Sequence, residues 1–203
     1  MRPKCNNYKE IYEYYYKVAK HLSEEYKKGM YLKTDSHNES GIYPISKPIV
    51  PVLSENGVSV NVVEYSTDVL NKAKPLLDQF KNVYYSRGDI RTPLSKKFDV
   101  IFDFSTIDHV PITDVPHVLN NYKESLKTGG QLSLFVWLSD TKENSEGEWN
   151  PSNQYFFYKP EFEKYLYEYF SVINKEYVLN LNLAENNSPR KVYWYLCEVK
   201  NGM

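Results

Sequence analysis

Glycine is scarce in this chain, with 8 in 203 residues against 20 tyrosines, 9 phenylalanines and 3 tryptophans. A glycine-rich nucleotide turn, in which the backbone closes on its ligand, therefore has little to be built from. Cysteine is nearly absent as well. Cys5 and Cys197 lie at opposite ends in no zinc or redox spacing and read as two free thiols, with a disulfide left open. An excess of either charge is missing too: the net charge of -1 draws the chain neither to nucleic acid nor to anionic lipid. No apolar run approaches membrane-spanning length, and the stretch Met1 to Asn7 lacks the apolar core of a signal peptide. A cytoplasmic protein of one domain, large enough for a full core, is expected.

What is present is an alternation of helical and extended patterns. Tyr8, Ile11, Tyr12, Tyr15, Val18, Ala19, Leu22 and Tyr26 recur at helical spacing, which predicts an amphipathic helix over 7–28 with Gly29 as its C-cap. Met30 to Leu32 reads as a first strand, and 36–46 as a polar loop. A helix follows within 47–56, confined to its latter part by Pro48 and Pro51. A second strand ends at Glu64, and Ser66 or Thr67 caps a helix toward Phe80 that Pro75 kinks or shortens. Strands at 82–86 and 98–104 come next, then a helix over 113–127 that turns inward Val118, Leu119, Tyr122 and Leu126 and exposes Asn120, Asn121, Lys123 and Glu124. Gly129-Gly130 reads as the helix stop before a strand over 131–137. A polar insertion spans 141–152, a helix runs from Lys159 to about Phe170, and strands 172–181 and 191–199 form an antiparallel hairpin.

Several strands end in acidic residues. Val58 to Val63 stops at Glu64, Asn82 to Tyr85 leads to Gly88-Asp89, and Phe98 to Phe102 reaches Asp103. In a parallel sheet these ends line one crevice, where carboxylates can accept from the hydroxyls and amine of a nucleoside-like ligand.

The order of helix, five βα units and closing hairpin resembles the class I S-adenosylmethionine-dependent methyltransferases, from about Met30 onward and most clearly over Val60 to Val136. The resemblance implies an α/β, Rossmann-like three-layer sandwich with a mostly parallel seven-stranded sheet and an antiparallel C-terminal hairpin. Residues 30–203 would form that domain, with helix 1–29 as its cap or lid. It implies S-adenosyl-L-methionine as cofactor, with Glu64 on the ribose hydroxyls, Asp89 near the adenine amine, and Tyr65, Ile90, Asp103 and Ser105 beside them. The main departure is the loop after strand one, Leu32-Lys33-Thr34-Asp35-Ser36-His37-Asn38-Glu39-Ser40-Gly41, which holds one glycine. It looks like divergent members in which Thr34, Asp35, Asn38 and Glu39 would supply side-chain contacts. Asp35 or Glu39 would then receive the amino group of the cofactor's methionine portion.

Asp108 and His109 follow strand four, near where a methyl group would be transferred. His109 is the candidate general base, since a neutral histidine can take a proton from an oxygen or nitrogen nucleophile; His37 is a weaker one. Asp103, Asp108, His109, Asp114 and His117 match no standard metal spacing, so no metal is assigned. The acceptor pocket is expected around Tyr12, Tyr15, Asp108 and Trp137, with Trp149 and 155–158 nearby, for an aromatic or cationic small molecule. Tyr165, Tyr167, Tyr169 and Phe170 cannot share one helical face, so some face solvent or a partner. Nucleic acid is disfavoured, because no basic stripe or base-flipping motif is present. A homodimer is left open. The alternative is a non-catalytic relative that uses the same fold for binding or assembly.

Overall fold

The computed structural model of the protein describes residues 6–26, 29–42, 46–142, 154–182 and 189–200. Expectations for Cys5, Trp149 and most of the polar insertion, as well as the hairpin turn at 183–188, lie outside the described residues. The elements are α1 (Asn6–Glu25), β1 (Met30–Lys33), α2 (Val50–Glu55), β2 (Ser59–Glu64), α3 (Thr67–Leu77), β3 (Val83–Arg87) and β4 (Phe98–Phe104). A 3₁₀ turn (Ile107–His109), α4 (Val115–Ser125), β5 (Leu126–Ser139), β6 (Phe157–Tyr158), α5 (Lys159–Tyr169), β7 (Phe170–Asn182) and β8 (Pro189–Val199) follow.

The strands form one sheet in the order β3-β2-β1-β4-β5-β8-β7, with the short β6 added beside the end of β5. β1 pairs in parallel with β2 on one side and β4 on the other. The chain runs outward from β1 to β3, then crosses back to β4. The carboxyl ends of β1 and β4 therefore flank a topological switch point, where a crevice opens in sheets of this kind. β8 runs antiparallel to both β5 and β7, which closes the sheet with the expected hairpin.

Side chains on the strands alternate between two cores, as a period of two demands. Tyr31, Val60, Val62, Val100, Phe102, Phe104, Phe135 and Trp137 pack beneath α1, α2 and α3. Leu32, Ile101, Leu132, Leu134, Val136 and Tyr195 face α4 and α5. The result is the three-layer α/β/α sandwich. On α1, Ile11, Tyr15, Val18, Ala19 and Leu22 are all at most 6% exposed, so the first helix is a wall of the core and not merely a lid. Among the described residues no helix is long and apolar enough to cross a membrane.

The structure corrects several boundaries. Gly29 is not a helix cap: α1 ends at Glu25, and the Gly29 carbonyl accepts from Ser59 N at 2.9 Å, opening the β1–β2 ladder. α3 stops at Leu77, two residues after Pro75, and Ser66 caps its start by accepting from Val69 N at 3.3 Å. No helix intervenes between β3 and β4, so the fivefold βα repeat is incomplete. The loop that replaces it leaves a cavity of about 200 Å³ between Asn61, Tyr84 and Lys96. α4 ends at Ser125 and β5 begins at once, so Gly129-Gly130 lies inside a strand. Phe98 faces Leu126 while Val100 faces Gln131, and residues 127–130 bulge out, with Gly129 at φ 74°. Asn121, expected in solvent, is buried and donates to Ile90 O at 3.1 Å.

If α1 is a structural wall, Leu22→Ala should cost about 2–5 kcal/mol, as for other fully buried leucines. The urea midpoint should fall with an unchanged slope. A change within about 0.5 kcal/mol would instead mark α1 as a loosely held lid.

Candidate functional site

The loop after β1 is built around a buried lysine. The Lys33 side chain is fully enclosed, and its ammonium meets Asp35 Oδ1 at 3.0 Å, Glu39 Oε2 at 3.1 Å and the Asp35 carbonyl at 2.9 Å. All three of its donors are thus used. Burial alone would lower the lysine's pKa, but Asp35 and Glu39 outweigh it and hold the value above the usual lysine range. For Asp35 burial pushes the other way and Lys33 prevails, so the carboxyl lies below its ordinary range. Glu39 Oε1 accepts from Ile49 N at 2.9 Å and Val50 N at 3.0 Å, placing negative charge at the start of α2. The expectation that Glu39 receives a ligand's amino group therefore meets a carboxylate already engaged at both oxygens. Asn38 is turned inward as well, and its amide donates to Lys47 O at 3.4 Å.

Glu64, at the end of β2, is 7% exposed. Its Oε2 accepts from Ser36 N at 2.8 Å and Ser36 Oγ at 3.1 Å, and its Oε1 from Ser66 N at 2.7 Å. Tyr65 next to it is exposed. Asp89 is gripped by Arg91, which donates from Nη2 to Oδ2 at 2.7 Å and from Nε to Oδ1 at 3.0 Å. Those hydrogen bonds keep Asp89 below the usual carboxylate range. Ile90 points its side chain into the core under α4. Gly88 is required where it stands, since a Cβ there would lie 2.8 Å from Val63 Cγ1.

At the end of β4 the chain turns sharply. Ser105 adopts φ 63°, the only non-glycine residue with positive φ among those described, a conformation that costs free energy and often marks a site. Asp103 is fully buried and organises the turn, accepting from Thr106 N at 2.7 Å, Ile107 N at 3.2 Å and Tyr122 Oη at 2.7 Å. Burial pushes its pKa up to about 7 against those hydrogen bonds. Its carboxyl therefore shapes the turn, with both oxygens taken by the protein's own donors. Thr106 joins this turn to the first loop, bonding Thr34 Oγ1 at 2.8 Å and Asp35 Oδ2 at 3.3 Å.

Asp108 is fully buried too, with Oδ1 accepting from Trp137 N at 3.1 Å. Burial drives its pKa well above the carboxylate range. His109 is exposed, whereas its neighbour Asp108 faces inward. His37 lies in the field of Asp35, Glu64 and His109, and burial lowers its pKa. Tyr15 stacks on Phe104 with ring centroids 4.8 Å apart, meets Tyr12 edge-on at 5.9 Å, and its hydroxyl lies 2.9 Å from Ser105 Oγ. Trp137 meets Phe156 edge-on at 5.8 Å. The structure therefore gathers Tyr12, Tyr15, Ser105, Asp108 and Trp137 at the ends of β4 and β5. Sequence reasoning missed Lys33, Ser36, Arg91, Thr106 and Tyr122. Lys33 two residues before Asp35, and Arg91 two after Asp89, were the available signals.

Two outcomes test this electrostatic frame. Lys33→Met leaves Asp35 and Glu39 buried without their cation and should destabilise the protein by about 3–5 kcal/mol; calorimetric melting measures it. Asp103 and Asp108 hold protons in the folded state that the unfolded chain releases above about pH 4. Their contribution is complete below that pH and is lost as pH rises through about 7 for Asp103. Urea midpoints should therefore fall between about pH 5 and 8. In Asp103→Asn the decline should be shallower.

Comparison with known proteins agrees with this geometry. Residues 47–134 match the family model described as a methyltransferase domain. No curated protein matches the sequence. Among solved structures, the N-methyltransferase NodS from Bradyrhizobium japonicum, in complex with S-adenosyl-L-homocysteine, superposes with a TM-score of 0.69 at 11% identity. That match covers 93% of this chain and 87% of the other. The 1,6-didemethyltoxoflavin-N1-methyltransferase of Burkholderia thailandensis gives 0.65 at 14% identity, over 92% and 79%. TehB from Haemophilus influenzae gives 0.67 at 14% identity over 91% of this chain, which spans 62% of TehB. A methyltransferase-domain match over residues 47–134 and the likeness to these solved structures show that the chain has the fold of S-adenosylmethionine-dependent methyltransferases.

Proposed function

We propose that the chain transfers the methyl group of S-adenosyl-L-methionine to a small-molecule acceptor, binding the cofactor across the ends of β1, β2 and β3. The acidic end of β2 carries this reading. The Glu64 carboxylate has about four acceptor sites and uses three on Ser36 and Ser66. One ribose hydroxyl can join directly; the second takes the position held by the Ser36 hydroxyl. Asp89 would accept from the adenine amine by sharing with Arg91. Asp35, Thr34 and the turn at Ser105 border the methionine end, with Lys33 holding Asp35 in place. When bound, the cofactor supplies an electrophilic methyl carbon on a sulfonium. The protein contributes orientation of the acceptor and removal of its proton.

A small acceptor is supported by the near-neutral charge, by the ring cluster around Tyr15, and by two neighbours described as N-methyltransferases, one of them with bound 1,6-didemethyltoxoflavin. β7 exposes Ile173 and Tyr177, which leaves a face for a second copy. The sparse cysteines support a cytoplasmic setting. A second reading, a binding or assembly subunit, draws on one observation: Glu39, Glu64 and Asp89 are all answered by the protein's own donors.

Calorimetry with S-adenosylhomocysteine separates the two. Saturable binding by the parent, weakened at least about tenfold in Glu64→Ala (about 1.4 kcal/mol), supports the enzyme. Absence of binding in a folded parent favours the second reading.

A further inference from the structure

Asp108 stands apart from the other carboxylates at the strand ends. Asp35, Glu64, Asp89 and Asp103 each have both oxygens engaged, as does Glu39 when its ion pair with Lys33 is counted. Asp108 spends Oδ1 on Trp137 N and its carbonyl on Tyr155 N at 2.7 Å, while Oδ2, fully buried, accepts no hydrogen bond of ordinary geometry. Leaving such an atom unanswered is costly, and native proteins rarely do so without cause.

The surroundings point to what would answer it. The side chains of Ser105 and Gln154 lie beside the carboxyl, and Tyr15 lies within its field. The Ser105 and Tyr15 hydroxyls meet at 2.9 Å, and Ser105 is held there by its strained backbone. The rings of Tyr15, Phe104 and Trp137 belong to the buried cluster at the ends of these strands. A carboxyl oxygen and two hydroxyls match the three donors of a primary ammonium, and ring faces favour a cation. A hydroxyl acceptor would offer one donor and no charge to offset a buried carboxylate.

We propose that Asp108, together with the hydroxyls of Ser105 and Tyr15, recognises the ammonium group of an amine acceptor and takes the proton that its nitrogen must lose. This rests on the methyl-transfer reading above. Asp108 gives up its own proton to solvent as the ammonium binds and stabilises its carboxylate. A proton then moves from R–NH₃⁺ to Asp108 Oδ2, and the freed lone pair attacks the methyl carbon of the sulfonium donor. An N–C bond forms and the C–S bond breaks, its electrons staying on sulfur. A methylammonium product and a neutral thioether result, and Asp108 is left protonated, as it stood before the amine bound. The burial that raises the Asp108 pKa makes it a stronger base than a solvated carboxylate. The role expected of the exposed His109 thereby passes to its neighbour.

The test uses the full chain, saturated with S-adenosylhomocysteine. Phenethylamine, tyramine and benzylamine are titrated against their hydroxyl counterparts phenethyl alcohol, tyrosol and benzyl alcohol by calorimetry and ligand-observed NMR. At least one amine should bind about tenfold or more tightly than its paired alcohol. Asp108→Asn, which keeps an acceptor for Trp137 N, should abolish that preference while S-adenosylhomocysteine affinity stays within about threefold. Tyr15→Phe keeps the ring, removes the hydroxyl and should weaken amine binding several-fold, and it carries the test if Asp108→Asn does not fold. Equal binding of amines and alcohols, no amine binding by the parent, or an undiminished preference in the folded variants would overturn the proposal. Failure of the cofactor reading shows separately, as a parent that does not bind S-adenosylhomocysteine.

Discussion

The ion triad of Lys33, Asp35 and Glu39 is the constraint on which the site depends. A lysine ammonium with no solvent exposure is tolerated only because two carboxylates and a carbonyl take all its donors. The same three residues tie the end of β1 to the loop after it and, through Glu39, to the start of α2. With a single glycine in this loop, charge pairing holds it in shape. Thr34 and Thr106 extend that frame to the turn after β4, and Ser36 extends it to Glu64. Three strand ends are thereby registered against one another.

This frame sorts the acidic residues by role. Asp103 is consumed in shaping its turn, Glu39 in capping a helix, and Glu64 keeps only part of its accepting capacity for a ligand. Asp89 is buttressed by Arg91. Asp108 retains a buried oxygen that no hydrogen bond of ordinary geometry answers, beside the Ser105 and Gln154 side chains and close to the rings of Tyr15 and Trp137. An array of similar carboxylates at strand ends thus divides into those answered on both oxygens by the protein's own donors and Asp108, which is not.

Much of the fold was legible in the chain. Period-two apolar runs located the strands, the spacing of Ile11, Tyr15, Val18 and Leu22 located α1, and Ser66 marked the start of α3. Errors arose where local signals compete. Gly129-Gly130 reads as a helix stop, yet long pairing with β4 and β8 draws it into β5 as a bulge. Asn121 reads as solvent-facing, but an unanswered Ile90 carbonyl holds it inside.

For the site, the sequence by itself determined which elements end in carboxylates and that they share one edge of a parallel sheet, since hydrophobic period and chain order are local properties. Tertiary structure alone decided which of those carboxylates are satisfied. Hydrogen bonds such as Ser36 to Glu64, Tyr122 to Asp103 and Trp137 to Asp108 join residues 19 to 29 positions apart, and no local pattern encodes them. Burial likewise separates Asp108 from His109, adjacent in the chain but on opposite sides of the protein surface.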